Sequence, residues 1–107
     1  MAKFLIRGSY SQEGIKGVVK EGGTARKRVA AALAESLGGR LEAFYFAFGP
    51  HDFYAIGDFP DNAAAAAVAA TVGASGAMSS FETIALLTPE EIDDAMKRSA
   101  DYRPPGG

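Results

Sequence analysis

The chain opens on an alternating segment, residues 3–10, with Phe4, Ile6, Gly8 and Tyr10 on one side and Lys3, Leu5, Arg7 and Ser9 on the other. A period of two marks a strand. Ser11 can cap a helix by accepting from its free amides. Gly14 and Gly17 weaken that helix, so only a short one is predicted around residues 12–19. After Gly22-Gly23, with Thr24 as a second cap, Ala25, Val29, Ala32, Leu33 and Leu37 recur at helical spacing. Gly38-Gly39 supplies the left-handed stop. Residues 40–48 and 52–59 read as two strands joined through the Gly49-Pro50-His51 turn. Pro60-Asp61-Asn62 turns and caps, and alanine propensity makes residues 63–72 a helix. A fourth strand is predicted over 77–87. Thr88, Pro89 and Glu91 then form the start signature of a last helix.

This order predicts an α+β domain of ferredoxin-like type, βαββαβ, with a four-stranded antiparallel sheet and an extra C-terminal helix. Residues 1–98 form the domain and 99–107 a flexible tail. Right-handed crossovers put both connecting helices on one face of the sheet. The other face of a monomer should be polar. Yet alternation along residues 40–48 puts Phe44, Phe46 and Phe48 on one side and Leu41, Ala43, Tyr45 and Ala47 on the other. Likewise Phe53 and Phe59 oppose Tyr54 and Ile56. Apolar surface on both sides predicts association of the open face with a second copy, as a homodimer or higher homo-oligomer. The competing arrangement folds residues 88–102 back over that face.

Composition narrows the function classes. At 107 residues there is room for one domain and a thin core. Eleven basic against 13 acidic residues leave a formal charge of −2, which draws the chain to neither nucleic acid nor anionic membranes. The basic stretch of Lys16, Lys20, Arg26, Lys27 and Arg28 falls on the helical layer and reads as a solvated face. There is no cysteine, hence no disulfide framework or thiolate metal site. No apolar run approaches the length of a membrane span, and the N-terminal run breaks at Arg7, too early for a secretory signal. A cytoplasmic location is the expectation.

The segment Phe44-Tyr-Phe-Ala-Phe-Gly-Pro-His-Asp-Phe53, after Leu37-Gly-Gly-Arg-Leu41, resembles the signature region of the GYD-domain family. So do Tyr10-Ser-Gln-Glu-Gly-Ile15 and Thr88-Pro-Glu-Glu91, and the likeness runs over residues 3–98. Gly49 and Asp52 match the family's pattern, and His51 stands where that pattern has tyrosine. The resemblance implies a ferredoxin-like fold of the dimeric α/β-barrel kind and no particular reaction.

His51, the single histidine, is the candidate general base, with Asp52 to orient it and Tyr54 or Tyr45 as hydrogen-bond donor. The plainer reading makes 49–52 a turn in which the Asp52 carboxylate accepts from backbone amides. His51, Asp52, Asp58 and Glu82 lack the spacing of a metal site, so neither metal nor cofactor is expected. Tyr10, Tyr45, Phe46 and Phe48 are candidates to line an aromatic ligand pocket. Aromatics at alternating strand positions are equally the makings of plain core. Gly22-Gly23 matches no phosphate-binding fingerprint and reads as a hinge. The function expected is that of a small oligomeric domain binding a small molecule or a protein partner. The alternative is a cofactor-free enzyme using His51.

Overall fold

The computed structural model describes residues 1–107. The elements are β1 (Ala2–Tyr10), α1 (Gln12–Glu21), α2 (Gly23–Ser36), β2 (Arg40–Phe46), β3 (Phe53–Phe59), α3 (Asn62–Ala74), β4 (Met78–Leu86) and α4 (Pro89–Met96). The strands form one antiparallel sheet in the order β2-β3-β1-β4. This is the ferredoxin-like arrangement, with the first crossover split into two helices.

The split has a local cause. Gly22, at φ +89°, ends α1 by donating its amide to Val18 and serves as the entry residue of α2. Few residues other than glycine adopt that φ. Thr24 therefore falls inside α2, which has no side-chain cap. The other helices begin as their sequences predict. Ser11 accepts from the Gly14 amide, Asp61 from the Ala64 amide, and Thr88 and Glu91 form a complete capping box.

The core lies between the sheet and α2 and α3. Phe4, Ile6, Phe53, Ala55 and Phe59 rise from β1 and β3 to meet Ala34, Ala64, Ala65 and Val68. The inward side of α2 runs through Arg26, Val29, Ala30, Leu33, Ala34 and Leu37, while Ala32 is exposed. Val29, Leu33 and Leu37 thus lie inward as apolar spacing predicts, and the stripe differs in its alanines, because alanine on the solvent side of a helix costs nothing.

A bulge in β2 changes the expected division of aromatics. Leu41 pairs with Gly57 but Ala43 with Ile56, so Glu42 is an extra residue in the ladder. Leu41 consequently joins Phe44 and Phe46 on the helix side, where simple alternation had separated them. Phe4, Phe53, Phe59 and Phe81 lie on that side as well, while Phe48 is fully exposed beyond the strand.

The open face is organised in rows that follow the pairing register. Ala43, Ile56, Leu5 and Ile84 make an apolar middle row. On one side Arg40, Asp58, Lys3 and Leu86 line up; on the other, Tyr45, Tyr54, Arg7 and Glu82. The expected two-sided apolar sheet is present only in the middle row. The C-terminal segment does not cover it: every residue from Leu87 to Gly107 is exposed, and α4 stands off the domain. No helix is long and apolar enough to cross a membrane.

Candidate ligand-binding site

A partly open cavity of about 290 Å³ lies between the sheet and α2 and α3. Its cause is the small side chains that face it from both layers, Ala30 and Ala34 from α2, Ala55 and Gly57 from β3. The floor is aromatic. Phe53 stacks on Phe44 at 5.6 Å between ring centroids and 7° between planes, and it tilts against Tyr10 at 5.8 Å and Phe81 at 6.3 Å. Sixteen of the 20 lining residues are hydrophobic. Its polar groups are the Arg26 guanidinium, the Tyr10 phenol, and Thr71 and Ser75 from the end of α3. Tyr10 closes one end of the floor, and Arg26 reaches it from the first turn of α2. Burial pushes the Tyr10 phenol above its ordinary pKa of 10.0, and the Arg26 guanidinium beside it works in the opposite sense. The Arg26 guanidinium also lies 3.5 Å from the Glu21 carboxylate.

Of the aromatic candidates named from the sequence, the cavity is lined by Tyr10 alone. Phe46 packs over Gly23 and edge-on to Phe44. Tyr45 points out from the open face, 71 % exposed, and Phe48 lies at the hairpin. Alternation identified aromatic strands but not which side of them held space. Arg26 was singled out only as one of a basic cluster. Its position one turn into a helix, on the same face as Ala30 and Ala34, is the signal that could have found it.

His51, Asp52 and Tyr54 lie elsewhere. The Asp52 carboxylate accepts from the Tyr10 amide at 2.9 Å, its own amide donates to the Gly8 carbonyl, and its carbonyl accepts from Ala47. Asp52 thereby ties the β2–β3 hairpin to the end of β1. His51 belongs to the open face. Its Nε2 is 3.4 Å from Glu82 Oε1, its ring sits edge-on to Tyr54, and its buried Nδ1 has no partner. Glu82 also pairs with Arg7 at 3.3 Å. No three histidine, aspartate or glutamate side chains converge as a metal-binding group.

At the other end of the open face Lys3 donates to Asp58 Oδ1 at 3.0 Å and to Glu42, while Arg40 donates to Asp58 Oδ2 at 3.0 Å. The Lys3 bond, with help from Arg40, holds the Asp58 carboxyl below its ordinary 3.8, against the opposing effect of burial. Glu42 and then Asp58 raise Lys3 above 10.5. A depressed carboxyl contributes stability that is complete above its unfolded pKa and is lost as pH falls through the folded value. In Asp58→Asn, urea midpoints should therefore fall less between about pH 5 and pH 2 than in the unaltered chain. Equal acid slopes would show that the ion cluster does not couple to folding.

An α+β domain of ferredoxin-like topology, with an apolar cavity under its helices, is the class that fold and site define. The chain belongs to the GYD-domain family, whose model matches residues 4–96. The chain is similar to a protein of unknown function from Nitrosomonas europaea, known from its crystal structure. The two are 21% identical over 81% of this chain and 89% of that one, with a TM-score of 0.42. No curated protein matches.

Proposed function

We propose that this chain is a self-associating domain that holds a small, largely apolar ligand between its sheet and its helices. The cavity carries the reading. Protein interiors are close-packed, with few voids larger than a water molecule, yet here a space of about 290 Å³ lies between the sheet and its helices, and only 12 of 107 residues are buried. A mostly apolar wall with a few convergent polar groups is the usual form of a small-molecule site.

Self-association rests on separate features. The middle row of the open face offers Leu5, Ile56 and Ile84 side by side. The well-capped α4 has eight residues, with Ile92 and Met96 exposed at 42% and 75%. A helix that short is marginal in water without a surface to pack on. A second copy supplies one. The enzyme reading has less support, since His51 does not line the cavity and pairs with Glu82 on the open face.

The test is to fill the cavity. Ala30 faces it from α2 and is only half-buried, so Ala30→Phe adds bulk there at little cost to the core. Saturable binding of the neutral probe 2-naphthylmethanol, followed by its fluorescence, is expected for the unaltered chain and should fall at least tenfold in the variant. Absence of binding, or equal binding by a folded variant, rejects the reading.

A further inference from the structure

The cavity is charged at one end only, and the geometry points to a small monocarboxylate as its ligand, with its carboxylate on Arg26 and Tyr10 and its apolar body over Phe53. This rests on the cavity being a binding site, and it names the ligand's chemistry. Arg26 is the only charged residue among the 20 that line the space. The antiparallel register places the two ends. Tyr10 lies at the close of β1, near the Phe53 that opens β3, whereas Phe59 and Gly57 lie at the far end of β3 with Leu41 of β2. A ligand that enters with an apolar body and a single anionic head satisfies both ends, and a wholly apolar one leaves the guanidinium with only its long contact to Glu21.

The head is narrowed by charge and shape. A guanidinium presents donors in a planar fork that fits a carboxylate with two parallel bonds. Arg26 is opposed by one carboxylate, Glu21, so a monoanion can replace Glu21 charge for charge, whereas a phosphate dianion brings a second negative charge that no other cation of the lining meets. The Tyr10 hydroxyl, kept in its neutral form, remains a donor to the same oxygen atoms. The start of α2 adds partial positive charge on that side.

Glu21 gives the site a built-in competitor. It is the last residue of α1, about half exposed, and its Oε2 lies 3.5 Å from Arg26, farther than a good hydrogen bond. The Arg26 side chain is 29% exposed. A ligand carboxylate approaching from the open side can take the place of Glu21, whose own carboxylate then returns to water. The pair therefore keeps Arg26 in position when the site is empty and yields to a better-placed anion.

A matched pair of probes separates the two levels of the proposal. Isothermal titration of the full chain near neutral pH with 2-naphthoate and with 2-naphthylmethanol compares one ring system with and without the charge. Binding of naphthoate at least tenfold tighter than the alcohol is expected, as for a charge-assisted hydrogen bond. Arg26→Met, which keeps an apolar stem, should bring the two within about twofold of each other, the loss falling on naphthoate. Glu21→Gln, at an exposed position that does not threaten folding, should tighten naphthoate several-fold and leave the alcohol alone. If both probes bind equally and neither substitution matters, carboxylate recognition is overturned and the cavity stands. If neither probe binds, the cavity reading falls and this inference with it.

Discussion

Phe59→Ala is expected to destabilise the domain by about 3–5 kcal/mol, the usual range for removing a buried phenylalanine ring. Phe59 is the most completely buried large side chain, 2% exposed. Its ring packs against Phe4 at 6.0 Å and lies over both Gly39 and Gly57, where a Cβ would come within 2.6 and 2.8 Å of it. Those glycines shape a slot for this ring, and neither can grow to fill the hole it leaves. Small domains are stable by roughly 5–15 kcal/mol in total, so much of the fold's margin depends on one side chain. A urea midpoint that falls with an unchanged slope would show this as lost native stability. A loss under about 1 kcal/mol would mean that the neighbouring cavity collapses to absorb the change. The void left by Phe59→Ala also adjoins the apolar end of the proposed site, so the variant should admit a longer ligand body than the unaltered chain.

Gly14→Ala tests an opposite intuition. Gly14 sits within α1, where exchange for alanine ordinarily gains up to about 1 kcal/mol. In this fold a Cβ at Gly14 would lie 2.0 Å from the carbonyl oxygen of Ala77 and 2.9 Å from its carbon. The obstacle is backbone, and it is pinned. The Ser11 amide donates to that same Ala77 oxygen at 2.8 Å, and the Ser11 hydroxyl donates to the Gly76 carbonyl at 2.7 Å. The start of α1 is thus stitched to the turn before β4, with no room for a methyl group. Overpacking of this kind costs about 1–3 kcal/mol, which reverses the propensity gain. Thermal melts should show Gly14→Ala less stable than the unaltered chain. Gly17→Ala, with nothing within 4 Å of its Cβ position, should match or exceed it. If both alanines stabilise, the docking of α1 on Ala77 is looser than the geometry requires.

Much of this architecture was readable from local signals. The strands announced themselves by alternation, α3 by its alanines, and three of the helix starts by Ser11, Asp61 and Thr88, whose side chains cap as their chemistry dictates. What escaped depended on relations between distant segments. Nothing near Glu42 marks it as the extra residue, because a bulge is defined by the strand opposite, and that single insertion moved Leu41 to the helix side. The stripe of α2 was legible in Val29, Leu33 and Leu37 but not in its alanines, which serve equally well inside and outside. An aromatic pocket was suggested, but not its walls, for the same reason: empty space is a property of several small residues meeting, Ala30, Ala34, Ala55 and Gly57, each unremarkable alone. The aromatic candidates were drawn from the residues that alternate most visibly, and of these only Tyr10 reaches the space.

The bulge at Glu42 bears on a hazard common to every open sheet. β2 is an outer strand, and an unbroken row of amides and carbonyls along such a strand invites pairing with the same strand of another molecule. By crowding two residues against one, the irregularity twists the strand and spoils the regular repeat on which fibril growth relies. The flanking Arg40 and the charge of Glu42 itself make an incoming backbone less welcome still. Pairing through the rim, where contact between molecules would propagate without end, is thereby disfavoured.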